Sequence, residues 1–342
     1  MTQNTIKGAL LLNLGTPDAP EAGAVRRYLE PFLMDPYVLD MPFLLRWMVV
    51  HWGILPKRPR IAAEAYRKVW TASGSPLLVH LRELARQVKQ ELGDAWNLQY
   101  AMRYGNPSLE KAFQEFRENG VKEVTLLPLY PQYSLSANES SIQAVMRCAQ
   151  QGEAPIKIRV VEPFYQKKEF IDPFVQVARK NLGGFDYDHI LFSFHGLPER
   201  HIRKTDRSGE FCEFSQECCR EIRFVNRDCY RAHCFATARR MASGLGIPQD
   251  QYTVCFQSRL GRTPWIQPFT DELYRTLPTK GVRKVAVLCP SFVADCLETL
   301  EEVQIRGREE FVRSGGQDLR MIPSLNSDPL WAKGVAALIQ EN

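Results

Sequence analysis

The sequence of 342 residues lacks the short motifs that assign a protein to several common enzyme classes. It has no G-x-x-x-x-G-K-[ST] phosphate loop, no G-x-G-x-x-G after its first apolar run and no G-x-S-x-G nucleophile elbow. These absences argue against a P-loop nucleotidase, a dinucleotide-binding domain and a serine hydrolase. The net charge of +5 is mild and comes without a Lys/Arg block, so nucleic acid is not a predicted partner.

The chain also lacks a recognisable secretion signal and a long hydrophobic run. No charged region precedes a long apolar run in MTQNTIKGALLLNLG, so we expect no signal peptide and predict a cytoplasmic protein. The most apolar stretch, MPFLLRWMVVHWGILP (41–56), is interrupted by Arg46 and His51 and is too short and too polar to span a bilayer. It is either a buried helix or an exposed apolar surface that touches a membrane or an apolar ligand.

Short apolar runs alternate with helical patterns along the chain. Five runs are typical of buried strands: GALLLNLG (8–15), EVTLLPLYP (123–131), HILFSFHGLP (189–198), YTVCFQSRLG (252–261) and KVAVLCPSF (284–292). The segment LLVHLRELARQVKQEL (77–92) has its apolar residues at helical spacing. This alternation predicts an α/β fold with parallel sheets flanked by helices.

The sequence repeats itself once, at an offset of about half its length. LLNLGTP (11–17) is similar to LFSFHGLP (191–198), and GVKEVTLLP (120–128) is similar to GVRKVAVLCP (281–290). We therefore predict two similar α/β domains, at 1–165 and 166–325. A last helix at 326–342 is expected to pack back onto the first domain.

Ionisable residues follow two of the predicted strands, where parallel sheets bind ligands. His195 closes one strand and can act as a base or bind a metal, or it is a hydrogen-bonded structural histidine. In VADCLETLEE, Asp295, Glu298 and Glu302 fall at i, i+3 and i+7, on one face of a predicted helix. They form either a functional acidic row or an ordinary solvated face.

Five of the nine cysteines lie between Cys212 and Cys234, with the spacing C-x5-C-C-x9-C-x4-C. In a reducing compartment such cysteines are core residues or metal ligands rather than disulfides. The remaining four look like core residues or residues at strand ends: Cys148, Cys255, Cys289 and Cys296.

Together these motifs resemble the ferrochelatase family over nearly the whole chain. The resemblance rests on LLLNLGTP, YRKVWTASGSPL, YGNPSLE, LPLYPQYS, FSFHGLP, FQSRLGRTPW and CPSFVADCLETLEE, in that order. It implies two Rossmann-like chelatase domains, each a parallel sheet flanked by helices, with a porphyrin cleft between them. It also implies a metallochelatase of the lyase class that inserts Fe²⁺ into protoporphyrin IX and releases two protons. The alternatives are a coproporphyrin or cobalt chelatase, or an iron–sulfur redox sensor on an inactive chelatase fold.

The resemblance also implies roles for particular residues. His195 and Glu298 would face each other across the porphyrin and meet the Fe²⁺ substrate, and Asp295 and Glu302 would continue as an acidic row. Cys296 stands where some members have histidine and is not assigned as a ligand. The segment 41–56 matches a hydrophobic surface that is linked to membrane contact in the family, whose members are monomers or homodimers. The residues expected at the porphyrin pocket are Gly15, Thr16, Tyr66, Trp265 and Phe292.

The segment 205–228 resembles an insertion relative to most members of the family. Some ferrochelatases carry a [2Fe–2S] cluster, which needs four thiolates, and five cysteines are available here. The predicted ligands are Cys212, Cys219, Cys229 and Cys234, with Cys218 able to replace one of the insertion cysteines. Zinc is the second candidate, although the C-x2-C pairs typical of structural zinc sites are missing, and free thiols are the third.

Overall fold

A computed structural model describes residues 6–152, 154–215, 217–259, 261 and 263–341. The chain divides into two compact units. The first unit comprises the described parts of 1–130, 135–162 and 327–342, and the second comprises those of 131–134 and 163–326. Each unit is built on a four-stranded parallel sheet.

The first unit begins with a central strand and alternates helices with strands. Its elements are β1 (Lys7–Thr16), α1 (Ala22–Leu33), α2 (Phe43–Met48), a π-helical segment (Val49–Ile54), α3 (Arg58–Val69), α4 (Pro76–Leu92), β2 (Trp96–Gly105), α5 (Leu109–Glu118), β3 (Glu123–Pro128), a π-helical turn (Leu135–Glu139), α6 (Ser140–Ala149) and β4 (Lys157–Val160).

The second unit follows the same plan. Its elements are α7 (Lys168–Leu182), β5 (His189–His195), α8 (Glu199–Arg203), short 3₁₀ turns (Glu217–Cys219, Phe224–Asn226 and Gln249–Gln251), α9 (Tyr230–Leu245), β6 (Tyr252–Gln257), α10 (Thr270–Thr279), β7 (Lys284–Leu288), α11 (Leu297–Thr299), a π-helical segment (Leu300–Gly307), α12 (Arg308–Arg313) and β8 (Asp318–Met321). The last helix, α13 (Pro329–Gln340), belongs to the first unit, where it packs against α4 and β3.

The two sheets have the same topology. Their strand orders are β2-β1-β3-β4 and β6-β5-β7-β8. The repeated motifs fall at equivalent places in the two sheets. LLNLGTP and LFSFHGLP end or follow the central strands β1 and β5, whereas GVKEVTLLP and GVRKVAVLCP contain β3 and β7. The sequence repeat is therefore a repeat of the β-α-β plan, and the prediction of two parallel α/β units is confirmed.

The central strands are buried because helices cover both faces of each sheet. Residues 9–12 of β1 and 190–194 of β5 have no accessible surface. The predicted amphipathic helix is α4, whose buried positions include Leu81, Leu84 and Val88. The predicted insertion lies in the second unit and holds two of the 3₁₀ turns among its described residues.

A buried charged network stabilises the first unit. The Asp35 carboxylate accepts hydrogen bonds from the Arg103 guanidinium (2.6 Å), the Tyr104 hydroxyl (2.7 Å) and the Ser140 hydroxyl (2.6 Å). Burial opposes ionisation, but these hydrogen bonds together with the charge of Arg103 hold the pKa of Asp35 below its ordinary value. The ionised carboxylate therefore fixes two strand-end residues and the start of α6.

We expect Asp35→Asn to lower the free energy of unfolding by about 3 kcal/mol at neutral pH, because the Arg103 charge loses its buried partner. The difference from wild type should begin to narrow near pH 3.8, where Asp35 is protonated in the unfolded chain, and should close as the pH falls through the lower pKa of folded Asp35. Denaturant titrations at several pH values measure both effects. The surface variant Asp94→Asn is the control and should change little. Equal stability of Asp35→Asn and wild type at neutral pH would contradict the expectation.

Candidate active site

His195 is the last residue of β5, at the carboxyl edge of the second sheet, so the predicted placement at a strand end is confirmed. Its Nδ1 lies 2.6 Å from the carbonyl oxygen of Gly196. A carbonyl oxygen only accepts hydrogen bonds, so in the neutral ring Nδ1 carries the hydrogen and Nε2 keeps the lone pair. The backbone of the next residue thus selects the tautomer in which Nε2 is the base.

Gln257 joins the two segments that carry the candidate catalytic residues. It pairs with His195 in the register of β5 and β6, and its carbonyl accepts a hydrogen bond from Gly196 N (2.8 Å). Its side-chain Nε2 donates to the carbonyl of Glu298 (2.9 Å), and its Oε1 accepts from Ser193 Oγ (2.7 Å). The amide therefore fixes the helix that bears Glu298 relative to the strand that bears His195. Gln257 belongs to the motif FQSRLGRTPW, and no role was predicted for it from the sequence.

Glu302 lies beyond Glu298 on the same continuous helical run, 297–313. Its carboxylate accepts hydrogen bonds from Ser258 N (3.0 Å) and Ser258 Oγ (2.6 Å), and Arg306 lies 3.9 Å away. Burial raises the pKa of Glu302, and the nearby negative charge of Glu298 adds to this, whereas Ser258, Arg306 and His195 act in the opposite direction. His195 and Glu298 are therefore both close enough to Glu302 to influence its charge.

Asp295 does not share the helical face of the two glutamates, contrary to the i, i+3, i+7 expectation. The helix begins only at Leu297, with Cys296 as its N-cap, so Asp295 lies outside it. Its buried carboxylate accepts hydrogen bonds from Thr299 Oγ1, Ser324 N and Asn326 Nδ2, at 2.8–3.1 Å. Asp295 thus fixes the loop after β8, whereas Glu298 and Glu302 lie on the helical run 297–313.

Two of the five predicted pocket residues lie next to His195. The Phe292 ring stands edge-on to the His195 ring, with centroids 6.2 Å apart. Trp265 forms an isolated antiparallel β-bridge with Pro198. If position 196 carried a Cβ atom, that atom would lie 3.3 Å from the indole ring of Trp265. The same Cβ would lie only 2.8 Å from the carbonyl oxygen of Gln257, and this close approach of the backbone explains the glycine of the SFHGLP motif.

The other three predicted pocket residues belong to the first unit. Gly15 has a φ of +132°, and a Cβ there would collide with the carbonyl oxygen of Tyr104. Thr16 Oγ1 donates a hydrogen bond to Ser75 Oγ (2.7 Å). Tyr66 is buried against Trp70, with ring centroids 6.0 Å apart. Gly15 and Thr16 lie at the end of β1, the place equivalent to His195 in the second unit.

The insertion brings several of its cysteine thiols together. The sulfur atoms of Cys218 and Cys219 are 3.8 Å apart, and Cys219 is hydrogen-bonded to Cys229. That hydrogen bond and burial raise the pKa of Cys219, whereas Arg231 lowers it. Cys212 is half-buried and within electrostatic range of Cys218 and Cys219. Cys234 is fully buried within α9 and hydrogen-bonded to Tyr230.

Among the described residues, no three His, Cys, Asp or Glu side chains already stand at metal-binding geometry. When two thiolates bind one tetrahedral metal at about 2.3 Å each, their sulfur atoms are about 3.8 Å apart. The sulfur atoms of Cys218 and Cys219 already have this separation. The thiols therefore fit a metal group in part, with Cys218 at a ligand-like separation from Cys219 and Cys234 within electrostatic range of Cys219.

The segment 41–56 exposes several large apolar side chains, whereas Val50, Leu55 and the polar Arg46 are buried. Phe43, Leu44 and Trp52 are each about two-thirds exposed, at 65%, 67% and 69%. Arg46 is buried and donates hydrogen bonds to the carbonyls of Leu39 and Met41, and His51 lies 3.1 Å from Glu30. The segment therefore combines features of both interpretations, with a buried side at Val50 and Leu55 and an exposed apolar surface at Phe43, Leu44 and Trp52. Over the described residues, no helix is both long and apolar enough to cross a bilayer.

The duplicated parallel α/β plan is found in solved chelatase structures. Two solved structures share it: SirB from Bacillus subtilis with Fe³⁺ (TM-score 0.52, 10% identity) and the sirohydrochlorin chelatase SirB from Bacillus subtilis subspecies spizizenii with cobalt (TM-score 0.54, 9% identity). Each comparison covers 98% of this chain and 94% of the other. At such low identity they support the fold alone.

Sequence similarity identifies the family. The profile of the Ferrochelatase family matches residues 6–342. The chain is 44% identical over 335 residues to a ferrochelatase from Coxiella burnetii (strain Dugway 5J108-111), covering 98% of this chain and 93% of the relative. It is 45% identical over 333 residues to a ferrochelatase from Azotobacter vinelandii, covering 96% and 97%, respectively. The chain therefore belongs to the ferrochelatase family.

Proposed function

We propose that the chain is a lyase-class metallochelatase that inserts Fe²⁺ into protoporphyrin IX, giving protohaem and two protons, in haem biosynthesis. Membership of the ferrochelatase family supports this activity. The structural observation that carries it is the arrangement around His195. A histidine whose Nδ1 is committed to the Gly196 carbonyl presents Nε2 as a base, next to the carboxylates of Glu298 and Glu302.

The reaction requires two proton acceptors. Each pyrrole N–H bond breaks, its electron pair stays on nitrogen to bind Fe²⁺, and its proton leaves. We assign one proton to His195 Nε2 and the other to the Glu298 carboxylate. Glu302, whose pKa is raised by burial, then relays protons toward solvent. The nitrogens of a flat macrocycle are hard to reach, so binding energy is expected to bend the ring out of plane.

Aromatic side chains beside His195 supply apolar contacts for such a macrocycle. Trp265 and Phe292 are the proposed porphyrin contacts of the second unit. Gly15, Thr16 and Tyr66 stay predicted contacts of the first unit. Anaerobic assays with protoporphyrin and coproporphyrin, each with Fe²⁺ and Co²⁺, test the substrate assignment. Faster turnover of coproporphyrin or Co²⁺ than of protoporphyrin with Fe²⁺ would overturn the substrate assignment. Porphyrin binding without chelation would favour the redox-sensor alternative.

We also propose that the insertion thiols hold a [2Fe–2S] cluster. The group that fits best is Cys212, Cys218, Cys219 and Cys229, with Cys234 as the alternative member. A cluster supplies a one-electron redox centre, and its ligation would cross-link the insertion to the start of α9. The chelation steps above use only protein side chains and do not involve it.

Protein prepared anaerobically with iron supplied during expression should be red-brown and should bleach with dithionite. Cys219→Ser should remove the visible bands, because Cys219 contacts both Cys218 and Cys229. The control is Cys148→Ala in the first unit, which should keep the bands. Metal analysis adds the other outcomes: one zinc per chain would assign zinc instead, and no metal would mean free thiols.

We propose that the segment 41–56 makes peripheral contact with a membrane. Apolar side chains that stand in water while the polar ones face inward gain free energy by entering the lipid interface. The double variant Phe43→Ser, Trp52→Ser should lower binding to sedimented lipid vesicles at least about tenfold, at about 0.8 kcal/mol per buried CH₂. Val312→Ser, an exposed apolar site of the second unit, should bind like wild type. Equal binding of all three proteins would refute membrane contact through this segment.

A further inference from the structure

The first turn of α9 contacts the cysteine insertion through one side chain and the candidate active site through the next. Cys229 is the N-cap of this helix, and Tyr230 and Arg231 are its first two residues. Tyr230 is 6% exposed and Arg231 is 5% exposed. Because both are held in one helical turn, a displacement of one is transmitted to the other.

On the side that faces the insertion, Arg231 binds two groups of the insertion. Its Nη1 donates hydrogen bonds to Ser215 O (2.8 Å) and to Cys219 Sγ (3.0 Å). Cys219 is in turn hydrogen-bonded to Cys229. The start of α9 is therefore tied to the insertion at Cys219, on both sides of Tyr230.

Toward the candidate site, Tyr230 donates a hydrogen bond from its hydroxyl to the carbonyl oxygen of His195 (2.8 Å). The same hydroxyl is hydrogen-bonded to Ser291, and Ser291 Oγ accepts the His195 N–H (3.0 Å). The backbone N–H and C=O of His195 are thus held by two side chains that also hold each other.

Strand pairing explains why these two side chains are needed. β5 pairs with β6 as far as His195, but its pairing with β7 stops at Phe192 opposite Leu288. On the β7 side, His195 therefore lies beyond the last paired residue, and its peptide groups need other partners. The hydroxyls of Tyr230 and Ser291 supply the hydrogen bonds that a neighbouring strand would otherwise make there.

We propose that Tyr230 is a positioning residue that holds His195 in place for chelation and couples it to the thiols of the insertion. A change at Cys219 would shift the first turn of α9, and the Tyr230 hydroxyl would carry that shift to the His195 carbonyl. This inference rests on the proposed catalytic role of His195, and its main readout is independent of turnover.

Tyr230→Phe removes only the hydroxyl and tests the positioning role. We expect kcat for iron insertion to fall about tenfold, with the KM for porphyrin within about twofold of wild type. The Cε1 resonance of His195, followed in protein with labelled histidines and assigned by His195→Gln, should move. Tyr252→Phe, in the same unit with its ring against Phe192, is the control and should leave all three readouts unchanged. Ser291→Ala, which removes the other side chain of the network, should move the same resonance.

A double-mutant cycle tests the coupling. Cys219→Ser should move the His195 resonance in the wild-type background and move it less than half as far in the Tyr230→Phe background. Equal shifts in both backgrounds would overturn the coupling, and an unmoved resonance in Tyr230→Phe and Ser291→Ala would overturn the positioning role. If the resonance moves but kcat does not, then the link between Tyr230 and His195 stands but the role of Tyr230 in chelation fails, whereas the catalytic role of His195 itself is tested separately by His195→Ala.

Discussion

Replacing His195 by alanine should lower kcat for iron insertion by about a hundred- to ten-thousandfold, the range typical of a lost general base. The expected loss is large because Nε2 is the lone-pair nitrogen next to the acidic row, and the methyl side chain of alanine leaves no base at the end of β5. Porphyrin affinity should change much less, since the imidazole contributes little apolar surface. Single-turnover absorbance traces separate porphyrin binding from chelation and therefore measure both effects.

His189→Ala is the matched control for this variant. His189 begins the same strand and hydrogen-bonds to Thr253 at the opposite edge of the sheet, so its loss should leave kcat within about twofold of wild type. Circular dichroism and melting temperature should show that both variants fold. Near-normal chelation by folded His195→Ala would remove this residue from the mechanism, and with it the proposed path of the first proton.

Glu298→Gln should lower kcat about a hundredfold, because an amide cannot take the second pyrrole proton and does not attract Fe²⁺ as a carboxylate does. The fold should survive, since the bond from Gln257 reaches the backbone carbonyl of Glu298 and does not use the side chain. The substitution also removes a negative neighbour of Glu302, so the pKa of Glu302 should fall. The acid limb of the kcat–pH profile should then move to lower pH wherever it reports Glu302.

Glu309→Gln is the comparison for Glu298→Gln, because Glu309 is exposed and lies further along the same helical run. It should keep wild-type kcat and an unchanged pH profile. If Glu298→Gln behaved in the same way, the second proton would have to leave by a route that does not involve this carboxylate.

The parts of the fold that could be predicted are those with continuous burial. β1, β3, β5, β6 and β7 carry apolar runs, and all five were predicted. The other three strands were not. β2 is a sheet edge in which polar Asn97, Gln99 and Arg103 interrupt the pattern, and β4 and β8 are edge strands of only four residues. Edge strands pair on one side only, so fewer of their residues are buried and their apolar pattern is weaker. β6 is also an edge strand, but its last four residues are buried, and its apolar run was therefore recognisable.

The candidate site was predictable where a side chain acts directly and not where it acts through the backbone of another residue. The strand-end position of His195 indicated its exposure to a ligand. Gln257, Ser258 and Tyr230 hold peptide groups or a carboxylate of residues 35 to 44 positions away along the chain, and no local pattern reports such contacts. Asp295 was misplaced for a related reason, because helical spacing predicts a common face only within a helix, and this helix starts at Leu297.

The measurement that tests the central claim most directly is proton release during anaerobic chelation. Purified protein is mixed with Fe²⁺ and protoporphyrin IX in weak buffer with a pH indicator, and protohaem and protons are followed in the same trace. We predict catalytic formation of protohaem with two protons released per haem, and both signals lost together in His195→Ala. Protoporphyrin that binds but stays metal-free, with no proton release under conditions in which wild-type protein is folded, would contradict the account.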